Sequence, residues 1–395
     1  MTSTGTVSLA AGGAITVQSF DASTGTFNFN GGTLTVSGGA YTQPSGPLTM
    51  DGANAPTFVL AGGATTSGVT SAVVGNTASG ALSILSGSTL SYSGDSSIAS
   101  ASGSIGSVTV SGTNSLWSMS GNLYLGGSSS GAGGTGSLTI ASGGTVFVGG
   151  TFEAFGNSQL NVASGATFST SGIVAPGQIT NNGDLYTNVT IASGGTLGGS
   201  GTIHGSLTMQ DGSTLSPGNS PGLTTVSGDV SWSGTSTPMH YAVQIADANG
   251  PAGVGYDSLA IHAVVGMFVG QLNIAANSTI DIDLDSYPAN SPVQNFVNSN
   301  AFNFTIVSAD GGINGFNSAS FVINSSAFEL ANSLGGGAFS ILESPDDTQL
   351  ILHFDPSAVP EPGSLLLVLI ASGPFAWRLH RRKAAVTQPR QSDVV

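Results

Sequence analysis

An all-β fold is predicted for this chain: a right-handed parallel β-helix (β-solenoid) with a β-rich C-terminal cap and a short C-terminal apolar helix. Three observations predict it. A short strand-turn-strand unit recurs along the sequence, glycine and small polar residues dominate, and charged residues make up only 6% of 395 while glycines number 60. An ordinary globular chain carries about 25% charged residues, so this one must clothe itself in Ser, Thr, Asn and Gly rather than in ion pairs. Gly- and Ser-rich chains are often disordered, but those lack the regularly placed aliphatic and β-branched residues that recur here throughout.

The recurring unit is apolar-polar-apolar, a small turn, then a second strand-like stretch. It reads Leu34, Thr35, Val36 before Ser37, Gly38, Gly39, and Leu82, Ser83, Ile84 before Leu85, Ser86, Gly87. It returns at Leu138, Thr139, Ile140, at Leu160, Asn161, Val162, at Val189, Thr190, Ile191 and at Leu207, Thr208, Met209, with spacings of 22, 29 and 18 residues. Period-two alternation puts the apolar residues on one face of a strand and Thr or Asn on the other. The Ala-Ser-Gly turns that follow tolerate positive φ at no steric cost. One strand of three to five residues cannot bury its apolar face alone, but coils stacked about 4.8 Å apart can. With roughly 20 residues per coil, some 300 residues predict about 15 coils in a rod of about 70 Å.

Charge placement limits function. All five basic residues lie at the end, at Arg378, Arg381, Arg382, Lys383 and Arg390, whereas every acidic residue but Asp393 precedes them. A cation-free body repels phosphate, so nucleic acid is excluded as a partner. The same lack of Lys and Arg removes the residues that hold a segment on the cytoplasmic side of a membrane, which suits export. No cysteine is present, hence no disulfide framework, thiolate metal site or Cys nucleophile. Residues 1–5 show neither a basic nor an apolar leader, so the export reading expects a leader upstream of Met1 or one already removed.

Two stretches carry a sharper signature. Val108, Thr109, Val110, Ser111, Gly112 lead to Ser115, Leu116, Trp117, then Gly121, Asn122, Leu123 and Leu138, Thr139, Ile140. This closely resembles the repeat shared by autotransporter passengers and PEP-CTERM proteins. Downstream, Ser216, Pro217, Gly218, Asn219, Ser220, Pro221, Gly222 precede Gly228, Asp229, Val230 and Tyr256, Asp257, Ser258, Leu259. That order is similar to the last coils of an autotransporter β-helix passenger. The resemblance covers about residues 106–270. It implies irregular solenoid coils over 1–105, family-type β-helix over 106–270, a β-rich cap over 271–356 and a sorting signal over 357–395. The cap would include Phe302–Val307 and Gly311–Phe316, with Leu350–Phe354 as the final strand. A cap is needed physically, because an open solenoid end is an unpaired sheet edge.

The tail has three parts: Pro360, Glu361 and Pro362; an uncharged run from Leu365 to Trp377; and the basic cluster Arg378, Arg381, Arg382, Lys383. The run includes Leu365, Leu366, Leu367, Val368, Leu369, Ile370, Phe375 and Trp377. Two prolines around Glu361 hold an extended backbone that a processing enzyme can bind. The basic residues beyond the apolar run keep the extreme C-terminus cytoplasmic. The 13-residue run spans about 20 Å as a helix, short of the roughly 30 Å hydrocarbon core, which fits a transient anchor with Arg378 snorkelling. This layout resembles the PEP-CTERM sorting signal. The resemblance implies an exosortase-type membrane enzyme as partner, cleavage near Pro362, and release of a Gram-negative bacterial protein to the cell surface or extracellular matrix, with exopolysaccharide as a further partner.

Chemistry-bearing constellations are sparse, and no cofactor or catalytic residue is expected. Asp281, Asp283 and Asp285 share one strand face at intervals of about 6.8 Å, the weak calcium candidate of the chain. The plainer and preferred reading is a solvated face with Ile282 and Leu284 inward. His204, His240, His262, His353 and His380 show no metal-binding spacing and are read as surface or cap residues. Thr35, Ser83, Thr109, Thr139, Asn161, Thr190 and Thr208 are expected to line one outward face. The chain thus reads as a structural or adhesive surface protein and not an enzyme. The rival is a polysaccharide-active β-helix, either a lyase or a hydrolase. A lyase wants Arg or Lys near the abstracted proton, which residues 1–377 lack, and a hydrolase wants two carboxylates about 5–9.5 Å apart.

Overall fold

Alternating residues of a strand point to opposite faces, and parallel pairing in register sets each residue over its counterpart in the next strand. In this chain that rule runs almost unbroken. The computed structural model describes residues 5–357, which form an almost entirely β structure of long parallel sheets, as expected of a β-solenoid. Three parallel ladders can be traced. The first is a 13-stranded sheet running from Ala14–Val17 to Phe321–Asn324. The second and third are joined within one 21-stranded sheet.

The first ladder holds one aliphatic or aromatic residue over another along its whole length. Ile15 pairs with Leu34, then Phe58, Leu82, Val108, Leu138, Leu160, Ile179, Leu197, Leu215, Tyr241, Ile282 and Ile323 follow in register. Those from Leu34 to Ile282 are buried. The second ladder stacks Leu90, Trp117, Val146, Phe168, Leu185, Ile203, Val226, Ile261 and Ala309. The third stacks Leu123, Phe152, Ile173, Val189, Leu207, Val230, Leu272 and Ile313. The long strand Gly144–Ala154 shows how they join: its first half pairs in the second ladder, its second half in the third, with a register shift between Val148 and Thr151.

The recurring unit does not mark one fixed position in the coil. Leu138 and Leu160 belong to the first ladder, whereas Val189 and Leu207 belong to the third. The spacings of 22 and 18 residues are therefore single coils, and 29 is a coil plus a change of ladder. The Ala-Ser-Gly turn accordingly serves two corners. At one, Gly143 has φ of 77° and donates to Gly165 O at 2.9 Å; at the other, Gly194 has φ of 81° and donates to Gly212 O at 3.0 Å. A Cβ on Gly143 would lie 2.8 Å from Thr113 N, so that corner excludes a side chain sterically as well as conformationally.

The expected single row of outward hydroxyls is corrected for the same reason. Thr35, Ser83, Thr109, Thr139 and Asn161 do share the outer side of the first ladder. Thr190 and Thr208 stack on each other on the third. The first ladder also has 13 strands rather than about 15, because connections such as residues 246–257 and 287–301 lengthen some coils. Toward the C-terminus the parallel order ends. Phe302–Ala309 and Ala338–Glu343 both pair antiparallel with Gln349–Asp355, and Phe328 of the short helix Ser326–Glu329 is buried beside them. Among the described residues no helix is long and apolar enough to cross a membrane.

Leu160 is fully buried between Leu138 and Ile179, while Asn161 points outward. Leu160→Ala is expected to cost about 2–5 kcal/mol and Asn161→Ala less than about 0.5 kcal/mol. Thermal unfolding of the two variants checks this; equal effects would show that the column is not the core.

Candidate functional site

The sorting motif Pro360, Glu361, Pro362, the apolar run from Leu365 to Trp377 and the basic cluster lie outside the described residues, as does His380. Within the described residues the chemistry-bearing groups sit where one coil meets the next. Their arrangement follows from the stacking.

Asp281, Asp283 and Asp285 occupy the strand Ile280–Ser286, alternating with buried Ile280, Ile282 and Leu284. The solvated-face arrangement is what the strand adopts. One neighbour was not legible in the sequence. His240, in register with Asp281 from the preceding coil, turns its Nδ1 to Asp283 Oδ2 at 2.9 Å and lies 4.0 Å from Asp281 Oδ2. Asn324 donates to the other oxygen of Asp283 at 3.2 Å, and Asp285 accepts from the Ser286 backbone at 2.7 Å. Among the described residues no group of three or more His, Asp or Glu side chains is arranged to hold a metal ion.

The same pairing recurs. His204 Nε2 lies 2.8 Å from Asp184 Oδ1, and His262 Nδ1 lies 3.2 Å from Asp310 Oδ2. The paired residues are 20, 43 and 48 apart in sequence, which is one coil in each case, the longer ones swollen by connections. His353 lies 2.6 Å from Asn303 Oδ1 across the antiparallel pair. Coil length varies too much for a search at helical or strand spacing to find these contacts.

Other carboxylates fasten the corners. Asp51 accepts from the backbone of Asn76, Thr77 and Ala78 at 3.0, 3.0 and 2.8 Å and from the Thr77 hydroxyl at 2.9 Å. Partial burial pushes its pKa up, but those bonds outweigh it and hold the group below the usual carboxylate range. Asp211 accepts from the Ser233 hydroxyl at 2.5 Å, the Ser236 backbone at 2.7 Å and both groups of Thr235, and is held well below that range. Asp229 takes the backbone N–H groups of Gly270 and Gln271, and Asp95 that of Asn122.

Asp257 stands apart because it is buried, at 1% exposure. Its oxygens accept from Gly222 N at 2.7 Å and Gln244 N at 2.9 Å, while Ser258 N donates to Gly222 O at 3.0 Å. The two sequence elements that looked separate, the Ser-Pro-Gly turn ending at Gly222 and the Tyr256–Leu259 segment, are thus tied by one side chain. Burial raises its pKa to about 6 against the pull of the two N–H donors. A cavity of about 450 Å³ lies near the other end of the chain, lined by Phe27, Phe29, Tyr41, Gln43, Leu48 and Phe58.

Because the folded Asp257 binds its proton more tightly than the unfolded carboxyl at 3.8, its contribution to stability is fully present below pH 3.8 and lost as pH rises through about 6. Its ionisation at neutral pH costs the fold at most about 3 kcal/mol. The stability of the native chain relative to Asp257→Asn is therefore expected to increase as pH falls from 7.5 to 5. Melting curves across that range check it; a constant difference would mean that Asp257 does not titrate there.

Among known proteins, no family model matches this chain and no curated protein matches it.

Proposed function

We propose that the chain is an exported structural or adhesive protein of the cell surface or extracellular matrix, delivered through its C-terminal PEP-CTERM-type sorting signal and not itself an enzyme. In this reading the body is a right-handed parallel β-helix, the hand that twisted strands favour in crossover connections. The tail is a short apolar helix held transiently in the membrane until an exosortase-type enzyme cuts near Pro362. The carrying observation is the separation of charge: every Lys and Arg follows Trp377, directly behind the Pro-Glu-Pro motif and the apolar run. A body without cations meets no retention signal on its way out, while the cluster at Arg378–Lys383 keeps its own end inside.

The body's internal bonding supports the same reading. Its carboxylates at Asp51, Asp211, Asp229 and Asp257 accept backbone N–H groups of neighbouring coils, and Asp184, Asp283 and Asp310 face histidines. Groups so engaged hold coils together. Exopolysaccharide is the surrounding material with which such a surface would associate, through hydroxyl and amide groups rather than through cations.

Expression of the full chain in a Gram-negative host with a matching processing enzyme tests the delivery step. The native chain is expected at the surface or in the medium, shortened near Pro362, whereas a Pro360→Ala, Pro362→Ala variant remains full-length in the membrane fraction. Identical processing of both would defeat the sorting reading. Sustained release of sugars from matrix polysaccharides by the purified chain would defeat the non-enzymatic one.

A further inference from the structure

Traced toward the N-terminus, the third ladder breaks between the first two coils. From Leu125 it runs back through Ile98 to Val74 and Met50. The strand in the same place one coil earlier, Thr26–Phe29, pairs with Thr6–Leu9 and, among the described residues, with no strand on its other edge. The two coils meet again on either side of the break: Ala22 N donates to Thr42 O at 2.8 Å, and Gly31 pairs with Asn54. The sequence explains the parting. The register of Ala40–Met50 slips between Thr42 and Pro47, and neither Pro44 nor Pro47 has an N–H to donate toward Thr26–Phe29. The gap opens into the cavity of about 450 Å³, lined by Phe27 and Phe29 from the first coil, Tyr41, Pro47 and Leu48 from the second and Phe58 from the third.

We infer that this parting between coils is a binding site for a small, uncharged aromatic compound of one or two rings that carries a single hydrogen-bonding group. Its volume falls within the roughly 300–1,000 Å³ of small-molecule pockets. Leu48, Met50, Ala72, Val74 and Ile98, which hold the inward places in later coils, are buried, whereas Phe27 and Phe29 stay partly exposed beside the gap. A ligand there would complete the burial that the missing ladder step leaves undone. The walls favour a ring, because the cluster already packs at aromatic spacing: centroids lie 4.9 Å apart for Phe20 and Phe27, 5.2 Å for Phe27 and Phe29, and 4.8 Å for Tyr41 and Phe58. Tyr41 Oη donates to Gln43 Oε1 at 3.0 Å and Gln43 Nε2 to Gly46 O at 2.9 Å, which leaves one Nε2 hydrogen and the phenol lone pairs for a ligand. No Asp, Glu, His, Lys or Arg lines the cavity, and burial pushes the Tyr41 phenol up to about 12, so a charged ligand would lose its water without gaining a counter-ion. A peptide strand is excluded by length, since Ala22 and Gly31, nine residues apart, close the gap at both ends.

The site belongs to the folded body and does not depend on how the chain is delivered. Titration of the full chain with N-phenylnaphthylamine, an uncharged probe with one N–H that fluoresces in apolar surroundings, measures binding directly. A saturable rise at one probe per chain is expected. Anilinonaphthalene sulfonate, with the same rings and a fixed negative charge, should bind at least about tenfold more weakly. Phe27→Ala with Phe29→Ala should weaken the neutral probe by about tenfold or more. Phe147→Ala, at an exposed position on the second ladder, should leave binding unchanged, and circular dichroism reports whether each variant keeps its β content. If the double variant unfolds, Phe29→Ala alone carries the test, with a loss of about threefold or more. No saturable binding by the native chain, or full binding by a folded alanine variant, overturns the site. Equal affinity for the two probes overturns its selection of uncharged compounds.

Discussion

The main-chain hydrogen bond between one coil and the next, repeated in parallel register, is the constraint from which the rest of this structure follows. It fixes the step at about 4.8 Å and forces each residue to sit over its counterpart. An apolar residue is stable inside only if those above and below it are apolar too, which is why Leu34 to Ile282 form one buried column. A polar residue enters the interior only when it is satisfied there. Asn181 stands directly after Val162 in a buried column, and it accepts from Gly183 N and donates to Thr202 O. The long insertions, such as residues 246–257 and 287–301, fall between ladder strands, while within strands the register slips only locally, as between Gly31 and Thr33 and between Thr305 and Val307.

The same register governs charge. Two carboxylates stacked one coil apart would repel by roughly 1 kcal/mol in water and about 3 kcal/mol at a partly screened surface. A chain with no Lys or Arg in its body has no strong cation to relieve that. Its acidic residues are accordingly placed over neutral partners or histidine: Asp281 lies between His240 and Val322, Asp283 between Ala242 and Asn324, and Asp184 between Thr167 and Thr202. Backbone N–H groups at the corners do the work that basic side chains do elsewhere, each bond to a carboxylate being stronger than one to a neutral acceptor.

Much of this was legible in the sequence because in-out alternation is a local property. Leu138, Leu160 and Leu207 point inward as their neighbours dictated, and Ile282 and Leu284 turn the three aspartates outward. What alternation cannot say is which ladder a strand joins. Thr190 and Thr208 resemble Thr139 in every local respect, yet they lie on another side because the phase of the coil changed between Leu160 and Val189. The His–Asp contacts and the tie between Asp257 and Gly222 were hidden for a related cause. Partners one coil apart can be 20 or 48 residues apart, and only the summed length of the corners decides which meet.

The closing antiparallel strands acquire a mechanical meaning once the direction of the inter-coil bonds is considered. Those bonds point along the stack, so tension applied along it loads them one coil at a time, as in opening a zipper. Tension across it would load a whole strand in shear. The strand Gln349–Asp355 is the segment that any pull from the C-terminal side meets first, and it is gripped on both edges, by Phe302–Ala309 and by Ala338–Glu343. Until that doubly held strand slips, the coils behind it cannot be peeled away from this end, because Phe302–Ala309 is paired in turn with Ser258–His262; the clasp is the first barrier that unwinding from the C-terminal side must cross.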